Sequence, residues 1–223
     1  MPRTEQGVQR AVTIPAGSVR LDGILSLPQG AKGIVLFAHG SGSGRFSPRN
    51  QHVAGMLVDA GLATLLLDLL TEVEAADRAK VFDIALLAER LRLSARWAAA
   101  EPTTAGLSMG YFGASTGAAA ALVAATDCPR VSAIVSRGGR PDLAGDALEQ
   151  VDVPTLLIVG GWDQAVIPLN QSALRRLRCD KALIIVPGAT HLFEEPGKLD
   201  EVAAHAVAWF ERYLSGSAPA ARR

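Results

Sequence analysis

The sequence predicts a doubly wound α/β fold, a mostly parallel sheet of about eight strands with helices on both faces. Three observations carry this. Short, continuously apolar runs alternate with helical patterns from about residue 30 onward. The runs lack a polar–apolar alternation, as expected for strands buried on both faces. A chain of 223 residues, with no internal repeat, low-complexity tract or linker, suits one domain with a sizeable core.

Taken in order, "AVTIPAG" and "VRLDGILSLP" predict an antiparallel hairpin at the sheet edge, within residues 1–30 of the same domain. "GIVLFAHG" (33–40) is the first buried strand. A helix over 50–60 follows, with Asn50 as N-cap and Gly61 as its stop. "ATLLLDLL" (63–70) is a strand, and 83–100 a helix carrying Ile84, Leu87, Leu91 and Trp97 at near-helical spacing. Strands 107–115, 131–138, 154–161 and 181–188 alternate with helices over 116–126, 167–177 and 196–214. The tail 215–223, "SGSAPAARR" with its preceding turn, reads as a flexible end.

Composition narrows the function classes. The 22 basic residues balance 22 acidic ones, so no basic footprint for nucleic acid or a membrane surface exists. Cys128 and Cys179 lie far apart without metal-ligand spacing and read as reduced thiols. The polar N-terminus lacks a signal peptide's apolar core, and no apolar run is long enough for a membrane span. A cytoplasmic protein is expected.

Between Ala105 and Ala125 the pattern Gly-x-Ser-x-Gly occurs twice, around Ser108 and around Ser115. Such a pentapeptide carries a hydrolase nucleophile when a strand precedes it and a helix follows, with a sharp turn between. "EPTTA" before Ser108 is a helix-ending loop, and "YFGAS" after it is no helix start. Ser108 therefore reads as a small residue inside the central strand. "LSMGYFGA" leads into Ser115 as a strand and "TGAAAALVAAT" leads out as a helix.

A serine hydroxyl needs a neighbouring base. His52 and His205 fall inside predicted helices, while His39 and His191 follow strands. Chain order favours His191 as general base, with Asp163, just past strand 154–161, as the carboxylate that orients it. Asp142, Asp146 and Asp152 read as solvated or capping groups, and Asp68 as a brace for loops near the site. The oxyanion donors would be the amides of Thr116, at the start of a helix, and Ser41, in "HGSGSG". A phosphate-cradling reading of "HGSGSG" fails, because neither a P-loop ending nor Gly-x-Gly-x-x-Gly is present.

With "FAHGSGSG", "GYFGASTGAAAAL", "LIVGGWDQAV" and "VPGATHLFEEPG", the chain resembles the α/β-hydrolase superfamily, in its dienelactone hydrolase-like branch. It is also similar to the hydrolase-type domain fused to some bacterial phosphoribosyltransferases. The resemblance implies an α/β-hydrolase fold and an ester-cleaving enzyme without a cofactor. Dienelactone hydrolases use cysteine as nucleophile, whereas Ser115 stands at that position here. General carboxylester hydrolysis through an acyl-enzyme is therefore the expected activity. Dienelactone hydrolysis, thioester or peptide cleavage, acyl transfer and a non-catalytic binding module are the alternatives.

Only "SRGGRPDLAGD" separates strand 131–137 from the next short helix, which leaves no room for a lid. An open site for small, short-chain esters follows. Phe46, Trp162, Leu192 and Phe193 stand where they would line a mouth, or be core. Arg137 and Arg140 are placed to meet a carboxylate or phosphate on the substrate, or to pair with Asp142 or Asp146. The sequence leaves a homodimer open.

Overall fold

A computed structural model describes residues 7–214. Eight strands form one sheet: β1 (Val8–Ala16), β2 (Val19–Leu27), β3 (Ile34–Ala38), β4 (Ala63–Leu67), β5 (Met109–Ala114), β6 (Val131–Arg137), β7 (Thr155–Gly160) and β8 (Lys181–Val186). Their spatial order is β1-β2-β4-β3-β5-β6-β7-β8. β1 and β2 pair antiparallel, β2 joins β4 antiparallel, and every pair from β4 to β8 is parallel. The chain runs outward from β3 to β4, returns to lay β5 on the other side of β3, then proceeds to β8. Strand order thus reverses between β3 and β5, and a crevice opens past their carboxyl ends, where such sheets bind ligands.

Each central strand feeds two cores. Along β5, Tyr111 belongs to one face and Phe112 to the other, and both are fully buried. Helices α1 (Pro48–Asp59) and α7 (Lys198–Leu214) cover the Phe112 face. The opposite face is covered by α4 (Ile84–Ala100), α5 (Thr116–Ala125) and α6 (Ile167–Arg176). The run Ala118 to Ala121 in α5 is wholly buried, and these small side chains let the helix axis lie close to the sheet. Gly110 serves the other face: a Cβ there would sit 2.6 Å from Cε1 of Phe210 in α7.

Several expected boundaries shift for physical reasons. Helix α1 begins two residues before Asn50, because Ser47 is the N-cap, its Oγ accepting from the Asn50 amide, and Pro48 fills the first turn. Asn50 itself is buried. Ser108 lies one residue before β5 rather than inside it; it is buried, and its carbonyl accepts from the Ile34 amide at 2.8 Å. Two four-residue helices absent from the sequence reading, α2 (Glu72–Ala75) and α3 (Arg78–Val81), fill the space between β4 and α4. α2 starts with a Thr71–Glu74 capping box, and Glu74 also accepts from Arg90 of α4, whose Nη1 reaches the Ala16 carbonyl. The connection from β6 to β7 holds only a 3-10 segment, Pro141–Glu149, kinked at Gly145, so this connection forms no lid over the crevice. Residues 1–6 and the predicted flexible tail at 215–223 lie outside the described residues. Among the described residues, no helix is long and apolar enough to cross a membrane.

Candidate active site

Ser115 sits between β5 and α5 with φ 51° and ψ −122°, a conformation strained for any residue with a Cβ. The surrounding glycines make the turn sterically feasible. A Cβ on Gly113 would lie 2.5 Å from Cα of Ala118, and one on Gly117 would lie 2.1 Å from the Ala38 carbonyl oxygen. The Ser115 amide donates to the Arg137 carbonyl at 3.3 Å, and the Ser115 carbonyl accepts from Ala118 and Arg140, each at 3.1 Å. The glycines around Ser108 form no such turn: a Cβ on Gly106 would meet no atom within 4 Å, and Gly110 is crowded by the Phe210 side chain of α7 rather than by the backbone of a following helix. The second pentapeptide is an elbow and the first is not.

The loop after β3 approaches this elbow closely, since a Cβ on Gly40 would lie 2.9 Å from Cβ of Ser115. His39 fixes that loop. Its Nε2 accepts from the Leu69 amide at 2.9 Å, so the ring proton is on Nδ1, which donates to the Gly40 carbonyl at 2.9 Å. Burial lowers the His39 pKa, against the opposing pull of the Gly40 carbonyl and Asp68. His39 is thus a buried neutral brace and not a second base for Ser115. Asp68 braces the same loop from below, accepting from the Arg45 amide at 2.6 Å and pairing with the Arg45 guanidinium.

This arrangement has a pH consequence. The neutral His39 ring contributes stability that is complete above about pH 6.5, its ordinary value, and is lost as pH falls toward the lowered folded value. His39→Phe should cost about 1–3 kcal/mol at pH 8, from the orphaned Leu69 amide. It should also flatten the acid limb of stability. Urea midpoints between pH 5 and 8 measure both effects.

Past β8, the chain turns at Gly188 and carries His191 back over the sheet edge. Phe193, fully buried and with φ 58°, anchors the far side of this turn. Gly160, at the end of β7, lets the two loops touch: a Cβ there would lie 2.4 Å from the Ala189 carbonyl oxygen. The Trp162 amide donates to that same carbonyl at 2.9 Å. Asp163 is thereby brought under the imidazole, and His191 Nδ1 donates to its Oδ2 at 2.6 Å. The carboxylate is mostly buried, whereas the imidazole is 38% exposed.

Ser115, His191, Gly40 and Ser41 line one cavity of about 210 Å³, together with Arg137 and Leu192. Among the described residues, no hydrogen bond joins the Ser115 hydroxyl to the imidazole. The Thr116 amide opens α5 without a side-chain cap. Among the described residues, neither that amide nor the Ser41 amide donates to a backbone carbonyl. Thr116 and Ser41 also line an adjoining cavity of about 320 Å³, whose other wall is Leu70, Val81 and Leu87. Leu70, Val81 and Arg49, which lies beside Arg137, were not singled out by the sequence, and Leu87 only as an apolar position of a helix.

Other expected contacts divide. Phe46 is exposed and lines a third cavity, lying over the Arg45 guanidinium rather than beside Ser115. Trp162 is 64% exposed; its ring edge lies above Gly188, away from the cavity that holds Ser115. Phe193 is core. Arg140 is held in a two-pronged pair with Asp142, at 2.9 and 2.7 Å. Asp146 pairs with Arg176 instead. Arg137 is buried and pairs with neither.

Among the described residues, no group of three or more His, Cys, Asp and Glu side chains is placed to hold a metal ion. The free thiols Cys128 and Cys179 stand on neither loop of the crevice.

The fold recurs in known proteins. A dienelactone hydrolase from Anabaena variabilis is 56% identical, with a TM-score of 0.91 over 94% of this chain and 100% of that one. Est1E from Butyrivibrio proteoclasticus shares the fold at 15% identity, with a TM-score of 0.77 over 91% of this chain and 98% of its own. A Mycobacterium tuberculosis protein named "Putative phosphoribosyl transferase" is 59% identical over 210 residues, 93% of this chain and 47% of that protein. The chain therefore spans about half the length of this curated relative. The family model for dienelactone hydrolases matches residues 21–215, a span that holds the elbow at Ser115 and both loops facing it. With that match over most of its length, the chain belongs to the dienelactone hydrolase family, a family of hydrolases.

Proposed function

We propose that the chain is a serine carboxylesterase acting on small esters with short acyl groups through an acyl-enzyme. The observation that carries the reading is Ser115 on a strained elbow, sharing one cavity with a histidine that is hydrogen-bonded to a buried aspartate. Ser115 Oγ attacks the ester carbonyl carbon while His191 Nε2 takes its proton. Asp163 holds the proton on Nδ1 and stabilises the imidazolium. The amides of Ser41 and Thr116 receive the oxyanion, each worth about 3 kcal/mol of barrier. When the ester C–O bond breaks, His191 gives its proton to the leaving alkoxide. Water then attacks the acyl carbon as the same imidazole takes its proton; the bond to Ser115 Oγ breaks, His191 returns the proton to that oxygen, and the acid leaves. The Ser115–His191 contact closes as substrate fills the cavity, as is common for catalytic hydrogen bonds in the empty site.

The two cavities divide the substrate. Both oxyanion residues face the apolar space beside Leu70, Val81 and Leu87, which suits the acyl chain. His191 faces the other space, where the leaving alcohol must lie to be protonated. A volume of about 320 Å³ accommodates a short acyl chain. Transferase activity, the name given to the mycobacterial relative, does not enter this reading, because that protein is about twice as long. Nucleic acid and membrane play no part in it either.

The test is covalent. A fluorophosphonate should add its mass to the peptide containing Ser115, and Ser115→Ala should abolish that adduct while Ser108→Ala retains it. Labelling that survives Ser115→Ala would overturn the assignment. Turnover of p-nitrophenyl esters should fall steeply from acetate and butyrate to octanoate.

A further inference from the structure

Arg137 is the last residue of β6 and the register partner of Ala114, directly beside the nucleophile elbow. Its side chain is buried on the wall of the cavity that Ser115 and His191 share, and both Nε and Nη1 lack a hydrogen-bond partner. Among the described residues, no carboxylate pairs with it. A guanidinium in that condition is costly, because water has been stripped away and nothing replaces it. Burial first, and then Arg49, lower its pKa to about 10. Arg49 lies on the same wall, its Nε also buried and unpartnered, with only its Nη1 engaged, by the exposed Glu194. Two cations side by side, one wholly unneutralised, are an arrangement that a bound anion completes.

The rest of the lining indicates which anion. Ser41, Ser43 and Ser47, three residues with hydroxyl donors, line the same cavity, and Ser47 Oγ accepts from the Asn50 amide while keeping its own proton to donate. Two guanidinium edges saturate the two oxygens of a carboxylate and leave these hydroxyls idle. A phosphomonoester has three terminal oxygens and up to two negative charges, matching both the charge and the number of donors. We infer that the alcohol half of the substrate carries a phosphomonoester, seated between Arg137 and Arg49 with the serine hydroxyls completing its shell. The inference rests on the serine-esterase reading for its chemistry, and on the arginine pair alone for its anion. The phosphate takes no part in bond breaking: it fixes the alcohol so that the scissile oxygen lies under His191. Arg137 and Arg49 are therefore specificity residues.

Three esters of one acid separate the possibilities: ethyl acetate, acetoxyacetate and 2-acetoxyethyl phosphate. The expected result is a kcat/KM for the phosphorylated ester at least ten-fold above the other two, carried mainly by KM. Inorganic phosphate should inhibit competitively at millimolar concentration, at ionic strength held constant with chloride. Arg137→Gln and Arg49→Gln should each lower the phosphorylated-to-neutral ratio about ten-fold or more. A ratio near one in the wild type, a preference for acetoxyacetate, or a ratio untouched by both substitutions overturns the inference. If Arg137→Gln does not fold, Arg49→Gln and phosphate inhibition of the wild type decide. If no ester is turned over, the esterase reading has failed, and calorimetric titration with inorganic phosphate still judges the anion site: one millimolar site supports it, and no heat overturns it.

Discussion

Ser115→Ala should lower kcat for p-nitrophenyl acetate by roughly 10⁴-fold or more, and His191→Ala by a similar factor. The two effects should not multiply, because hydroxyl and imidazole act as one unit, so the double variant should be about as slow as either single one. Asp163→Asn should cost roughly 10⁴-fold. The carboxylate that accepts from His191 Nδ1 at 2.6 Å would be replaced by an amide whose NH₂ can turn the ring to the wrong tautomer. KM should change little throughout, since none of the three groups is asked to hold the ground state. Steady-state kinetics across the four variants checks this. Multiplying effects in the double variant, or a retained kcat in His191→Ala, would mean that the cavity shared by Ser115 and His191 is not where ester is cleaved.

Much of the fold was legible because buried parallel strands leave an unambiguous mark. "GIVLFAHG" and "LLIVGG" cannot present a polar face, so they need helices on both sides. The elements that were missed are those for which periodicity has no room. Helices α2 and α3 have four residues each, less than two turns, and only the capping pair Thr71–Glu74 announces the first of them. Asn50 looked like a cap because its residue type favours that role, yet Ser47 followed by Pro48 is the stronger signal and prevails.

The site divides along similar lines. Ser115, Asp163 and His191 could be placed together because each follows a strand in a sheet whose functional groups gather at that end. The second pentapeptide won over the first on sterics that the flanking elements implied. Gly113 and Gly117 are pressed against backbone, whereas Gly106 faces open space. Arg49 was invisible: with the helix expected from Asn50, it fell in the polar stretch ahead of it, where an arginine reads as solvated, and its place beside Arg137 is set by how α1 lies on the sheet. Trp162 misled because an aromatic residue beside Asp163 suggests a mouth, while the Gly160–Gly161 turn directs its ring over Gly188.

Gly117→Ala is the substitution by which the backbone geometry can be tested apart from the side-chain chemistry. The added methyl would stand 2.1 Å from the Ala38 carbonyl oxygen, 2.6 Å from Ala38 C and 2.6 Å from the His39 carbonyl oxygen. All three are backbone atoms, so no rotamer change relieves the contact, and α5 must lift from the end of β3. Overpacking of this kind costs about 1–3 kcal/mol, a fall in Tm of roughly 3–10 °C for a chain of this size. The larger effect should be on rate. Gly117 follows Thr116 in the chain, and Ala38 and His39 lead directly to Gly40 and Ser41, so the contact pushes apart the two amides proposed to receive the oxyanion. Misplacing such donors by about an ångström costs roughly 10²- to 10³-fold in kcat. Fluorophosphonate labelling of Ser115 should slow by a comparable factor, since phosphonylation builds negative charge on the same oxygen position. Gly106→Ala, which meets nothing within 4 Å, is the control and should leave Tm and kcat unchanged. A Gly117→Ala protein with lowered Tm but undiminished kcat would show that the oxyanion is received elsewhere than between β3 and α5.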